Sequence, residues 1–295
     1  MKKSSRVKKS YEDQIFDILN YVLLTLVVIV IIVPLWNIVA LSFSSSQAIA
    51  KGSTVFWPAE FSLENYRAVL QDSSMLSAFG ISVARTVIGI VLHVLVCAVM
   101  AYGLSKPFLK GRKFYMTIGV ITMLFSGGMV PTYLLFKKLG LLNSFLVYIV
   151  PNLLSYYDVI VIMTYYKSLP ESLEDAAKID GAGEWTALFK VILPLSKPVL
   201  ATIALFHGVW QWNDFMSSKL YITNESLYPL QMKIYDIIVQ QQAVSLTNPT
   251  SVVIETSTRG VQMATIVITT VPILIIYPLL QKYFVTGITR GAVKA

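Results

Sequence analysis

Cysteine occurs once in the 295 residues, at position 97, which excludes a disulfide framework and a cysteine-built metal site. Histidine occurs twice, as His93 and His207, too few for a multi-histidine metal centre. Charge is scarce: Asp, Glu, Lys and Arg make up 14% of the chain, against about a quarter in a soluble domain. No Gly-x-x-x-x-Gly-Lys-Ser/Thr string is present, so there is no P-loop to cradle nucleotide phosphates. A Ser-His-Asp arrangement is not suggested either, since both histidines lie in or at the ends of apolar runs. No bond-making chemistry is therefore expected of the chain itself. What it has instead is apolar length, with 55% hydrophobic residues and a mean hydropathy of +0.66. A bilayer is the solvent that suits such a composition.

A membrane-crossing helix needs about 20 mostly apolar residues, each adding about 1.5 Å across a core of about 30 Å. Six stretches are read as spans: 18–43, 86–105, 114–136, 145–166 (interrupted by Asp158), the shorter 198–213, and 260–281. The first is too long for the apolar core of a signal peptide, and only a weak cleavage site at 44–46 follows it. With the N-terminus inside, the cytoplasmic segments hold sixteen Lys and Arg residues and the outer loops seven. That bias predicts cytoplasmic termini. The expected layout is a tail at 1–17, a six-span domain over 18–284 and a second tail at 285–295. Topology and anionic membrane lipid account for the net charge of +8. Nucleic acid is not needed to explain it.

The cytoplasmic connection 167–197 is long and patterned. Ser172 followed by Asp175 reads as a capping box, and Glu174 and Asp175 sit where a helix dipole favours acids. Leu173, Ala176, Ala177 and Asp180 share one face at helical spacing. Gly181 and Gly183 supply a stop, and a second helix should carry Trp185, Leu188, Phe189 and Ile192 on one face. Pro194 and Pro198 mark the return to the membrane. The first helix has too little apolar bulk and too many acids to lie on lipid. Its alanines suit close insertion into another protein.

The string Glu-Asp-Ala-Ala-Lys-Ile-Asp-Gly-Ala at 174–182, followed by Ile-Leu-Pro-Leu at 192–195, resembles the EAA motif of ABC importer permeases. Aligned on Ala176, Ala177, Asp180, Gly181 and Ala182, the family's glutamate falls on Asp175, with Glu174 one place earlier. Two acids thus compete for one position. The tail 284–294, the Trp-Asn-Asp-Phe string at 212–215 and Gly-Gly-Met-Val-Pro-Thr-Tyr at 127–133 resemble the maltose-type carbohydrate subgroup and its complex-oligosaccharide branch.

The resemblance implies an all-α type I ABC importer permease in a bacterial cytoplasmic membrane. It implies work beside a second homologous permease, on a pair of ATP-binding subunits, with an extracytoplasmic solute-binding protein delivering sugar. ATP and Mg belong to the partner ATPase, and no cofactor to this chain. Glu174, Asp175, Ala176, Ala177, Asp180, Gly181, Ala182, Leu193 and Pro194 become the coupling residues. The outer segments 44–77 and 216–259 become the expected contacts of the binding protein. A permease for a polyamine, peptide or phosphonate is the nearest alternative; an ion-coupled secondary transporter or an assembly subunit would leave the motif unexplained.

An ionisable residue inside a membrane is a functional candidate by default. Asp158, beside Tyr156 and Tyr157, reads either as part of a sugar path or as one half of an intersubunit polar pair. Trp210, Trp212, Asn213 and Asp214 combine indole faces with an amide and a carboxylate, as a sugar site does. Interface anchoring explains the tryptophans but not Asp214. Trp36 and Asn37 are weaker candidates of the same kind. Arg85 is expected to snorkel to the outer interface, and His93 to bond a carbonyl of a neighbouring helix.

Overall fold

A long apolar run in lipid can satisfy its backbone only internally, and the run after Ser10 folds as one helix, α1 (Tyr11–Ser42). The computed structural model describes residues 10–52, 56–247, 259–275 and 278. Two short helices, α2 (Ser46–Ala50) and α3 (Glu64–Gln71), precede the 33-residue α4 (Ser73–Ser105). Then come α5 (Arg112–Leu124), α6 (Met129–Lys138) and, after two 3-10 turns at Phe145–Tyr148 and Val150–Asn152, α7 (Tyr156–Ser168). The connection 167–197 contains α8 (Ser172–Ile179), α9 (Glu184–Ala187) and α10 (Leu193–Leu195). Next are α11 (Lys197–Asn213), α12 (Met216–Tyr221), α13 (Leu230–Thr247) and α14 (Arg259–Ile275). Among the described residues the only strand-like pairing is one bridge between Ser44 and Phe61.

Only α1 and α4 are, among the described residues, single helices long and apolar enough to cross a bilayer. The expected span 86–105 is the second half of a longer helix that starts at Ser73. The expected span 114–136 is not continuous: α5 and α6 meet at 116° across residues 125–128. The expected span 145–166 is bent by 47°, because Pro151 and the Ser155 cap divide 3-10 turns from α7. The run 198–213 is α11, which meets the preceding helical segment at 78°. Of the expected span 260–281, residues 259–275 are helical; its end, the tail string 284–294 and residues 1–9 lie outside the described residues.

The chain divides into two compact units, residues 1–71 with 240–267 and residues 72–239 with 268–295. In the first, α1 shows Leu, Ile and Val on every side, a surface that suits lipid or a partner helix rather than water. Asn65 closes the end of α1, its amide donating to the carbonyls of Ser42 and Ser44 at 3.1 and 2.9 Å. The Trp36 indole donates to the Phe56 carbonyl at 2.6 Å.

In the second unit α4 packs against α7 and α11. Cys97, Ala98 and Ala101 of α4 meet Val159, Ile162 and Met163 of α7 and Ile203 of α11, all buried. Small residues let these backbones approach, as they do in membrane bundles generally. Gly119 is the tightest case: an added Cβ would fall inside the Tyr156 ring.

Candidate functional site: paired buried charges and the loop 167–197

Helix α4 carries two basic side chains, and each meets a carboxylate from another element. Arg85 is fully buried. Its guanidinium donates to the Asp214 carbonyl, lies 3.8 Å from the Asp214 carboxylate and sits 5.0 Å from the Tyr148 ring centroid. It does not snorkel. The reason is that α4 begins at Ser73, thirteen residues before the apolar run, which puts position 85 well inside the helix.

Two turns along α4, His93 is buried too. Its Nδ1 donates to the Asn152 carbonyl at 2.7 Å, and its Nε2 meets the Asp158 carboxylate at 2.9 Å. The expected carbonyl bond is present, and a charge partner accompanies it. Asp158 lies in the first turn of α7, not mid-helix, where the dipole favours an acid. The His207 ring stacks on His93 with centroids 3.8 Å apart and planes 9° from parallel, and Trp210 follows 5.9 Å beyond His207. His93, Asn152, Tyr157, Asp158, His207 and Trp210 line a cavity of about 510 Å³. Trp210 is shared with a second hollow of about 540 Å³ lined also by Asn213 and Asp214.

The loop 167–197 is built differently. Helix α8 ends in a Schellman closure: Ala182 N–H donates to the Ala177 carbonyl at 2.9 Å and Gly181 N–H to the Lys178 carbonyl at 3.0 Å. Gly181 has φ +80°, a conformation that glycine tolerates without cost. Gly183 is extended at φ −73°, so one glycine makes the stop rather than two. The capping box is absent. Pro170 starts the turn, Glu171 takes the cap position with no side-chain bond, and Ser172 is already helical.

The expected common face of the second helix is split as well. Residues Leu188–Ile192 are π-helical, and the wider turn sends Leu188 and Ile192 inward while Trp185 and Phe189 stack outside, 6.1 Å apart. Glu174 pairs with Lys106, whereas the carboxylates of Glu171, Asp175 and Asp180 are exposed and without a partner among the described residues. The Tyr102 hydroxyl, and after it Lys178, hold the Glu184 carboxyl below the ordinary carboxylate range.

Helix α8 thus presents an exposed, acid-edged surface on an otherwise apolar helical chain. Residues 4–290 match the model of the binding-protein-dependent transport system inner membrane component family. The chain belongs to that family. It is 38% identical over 281 residues to protein LplC of Bacillus subtilis (strain 168), covering 95% of each. It is 36% identical to the polygalacturonan/rhamnogalacturonan transport system permease protein YtcP of the same strain, covering 96% of this chain and 99% of that one. A solved chain of a bacterial ABC transporter involved in the import of the acidic polysaccharide alginate matches with a TM-score of 0.84 at 32% identity, over 94% and 99% of the two chains. The fold is thus the all-helical type I importer permease fold.

Within this binding-protein-dependent permease, the residues expected to line a sugar path separate into two groups. Tyr157 (63% exposed), Asp158, Trp210 and Asn213 border the two hollows. Tyr156 and Trp212 are packed inside, their polar atoms donating to the carbonyls of Met116 (3.2 Å) and Thr269 (3.0 Å). Asp214 is held by Arg85. In the loop, Ala176, Asp180, Gly181 and Pro194 are exposed, Ala182 and Leu193 half-buried, and Ala177 buried against the chain's own core. Sequence reading passed over His207 and Lys106. A histidine in an apolar run and a lysine in a basic turn carry no local signal; only the stacking on His93 and the pairing with Glu174 reveal them.

Proposed function

We propose that this chain is the membrane permease of an ATP-driven importer for oligosaccharides, turned over by a separate ATPase that seats on α8. The loop geometry carries the reading. A helix closed by a Schellman end presents Asp175, Ala176, Asp180 and Ile179 (85% exposed) on one exposed surface, beside the stacked Trp185–Phe189 pair. Unpaired acids and exposed apolar side chains together suit a protein partner better than water or lipid. Because Glu174 is engaged with Lys106, Asp175 takes the glutamate position of the family's motif. Ala177 supports the helix from behind, while Gly181, Ala182, Leu193 and Pro194 set its angle.

The remaining assignments rest on the sequence and the family. Six spans over 18–284 and cytoplasmic tails at 1–17 and 285–295 follow from the Lys and Arg bias. A second permease, a pair of ATPases holding ATP and Mg, and an external binding protein complete the assembly in the bacterial cytoplasmic membrane. ATPase closure switches the bundle between inward-open and outward-open arrangements. Tyr157, Asp158, Trp210 and Asn213 line the sugar path, with indole and phenol rings for stacking and carboxylate and amide for hydroxyls. Relatives named for polygalacturonan and alginate make uronate oligosaccharides the first substrates to test.

The test is co-purification and uptake together. Wild-type permease should carry the ATPase through detergent extraction and support uptake of radiolabelled galacturonate oligomers. Asp175→Arg and Gly181→Trp should lose both while the permease still inserts. Retention of ATPase and uptake in both variants would overturn the docking assignment; uptake of neutral arabinose oligomers alone would overturn the uronate one.

A further inference from the structure

Two acids of the loop are engaged inside the chain, and both lead to the same helix end. Glu174 of α8 pairs with Lys106, the residue that closes α4. The Lys106 ammonium lies 4.1 Å from the centroid of the Tyr102 ring, one turn back on α4. The Tyr102 hydroxyl donates to Glu184 of α9 at 2.8 Å, and the other Glu184 oxygen meets Lys178 of α8 at 3.3 Å. The path therefore closes on itself, from α8 through α4 and α9 back to α8. Lys106 and Tyr102 are both buried, so water competes little for these contacts.

The C-terminal covalent route from the loop into the bundle is a poor conductor of displacement by comparison. It runs through the π-helical stretch Leu188–Ile192 and then a 78° bend into α11, both of which are places where helices give. Helix α4 has no such break over its 33 residues. It also carries Arg85 and His93, the partners of both membrane carboxylates.

We propose that Lys106, Tyr102, Glu174 and Glu184 form a strut that passes displacement of the docked loop directly into α4. They are positioning residues: none is needed to hold the ATPase, and none touches the sugar. The inference rests on the docking reading above and adds a route by which docking moves the bundle. It predicts variants that bind and run the ATPase but no longer move the far end of the permease.

The experiment uses the assembled permease–ATPase complex in liposomes, with an environment-sensitive fluorophore on Lys138→Cys, an exposed position at the end of α6. The native Cys97 is fully buried and stays unlabelled. ATP with vanadate is the probe, and the readout is the fluorescence change relative to ATP hydrolysis. Glu174→Gln and Lys106→Ala should keep the ATPase bound and hydrolysing, yet reduce the change about fivefold or more. The swap of Lys106→Glu with Glu174→Lys should restore most of it. A responsive wild type matched by both single variants would overturn the strut alone. So would single variants that lose the ATPase and are not rescued by the swap. A wild type that binds ATPase but gives no ATP-driven change would overturn the coupling reading and the strut with it.

Discussion

The acids within the bundle and the acids of the loop 167–197 obey different rules. Asp158 and Asp214 each face a base on α4, His93 and Arg85. In the loop, Glu174 and Glu184 are paired, whereas Glu171, Asp175 and Asp180 stand exposed with no partner among the described residues. The difference is one of solvent. A lone carboxylate in a bilayer costs several kcal/mol, so the chain supplies its counter-charge from within. At the water face an unpaired acid costs almost nothing, so its charge stays available to another protein. Pairing thus separates the charges that hold this fold from those it can offer outward.

That contrast can be broken most forcefully at Arg85. Arg85→Met takes away the buried partner of the half-buried Asp214, and removing one partner of a buried pair costs about 3–5 kcal/mol. Detergent-extracted permease should lose most of its folded yield, and thermal unfolding in detergent should read the loss. An unchanged melting profile would mean that Asp214 finds water instead. His93→Leu should cost less, about 2.5–3.5 kcal/mol, because Asp158 keeps some exposure beside the cavity. Adding Asp158→Asn to that variant should recover part of the stability, and a further loss would contradict the pairing.

Asp175→Ala should leave stability within about 0.5 kcal/mol of wild type while weakening ATPase binding by about 1–2 kcal/mol. Titration of the purified ATPase onto permease in nanodiscs measures the second number. A stability loss equal to that of His93→Leu would erase the distinction between the two regions. The smallest effect is one of pH. Glu184 is held below its ordinary range when folded, so its bonds persist above that range and are lost as pH falls through the lowered value. The ATP-driven signal per ATP hydrolysed should hold from about pH 8 to about pH 5. A fall near neutrality would assign control to another group.

Much of the loop was legible in the sequence because its signals are local. Glycine at 181, the acids at 174 and 175 and the proline at 194 each act within a turn, and helix, stop and second helix follow in order. Its failures are failures of local reasoning too. The π-helical stretch depends on what Leu188 and Ile192 pack against, not on their own preferences. The break at 125–128 falls on Ser126, Gly127 and Gly128, the last at φ +86°, a breaker signal that the reading of 114–136 as one span overrode. In the membrane the sequence marked Asp158 and Asp214 as notable but could not pair them. Arg85 and Asp214 are 129 positions apart, and a charge beside an apolar run looks the same whether it reaches outward or inward.

The π-helical stretch has a consequence for how such chains diverge. A π turn holds one residue more than an α turn, so deletion of a single residue within Leu188–Ile192 can be absorbed by a return to α geometry. The segment upstream would then keep the faces it now presents, Trp185 outside and Leu188 inward, because the bulge alone takes up the lost residue. Here the chain has a built-in point of slack, where a single codon lost leaves both the loop's exposed face and the bundle as they are. Length variation among relatives should collect at this stretch and shun α4, where the same change would uncouple both buried charge pairs at once.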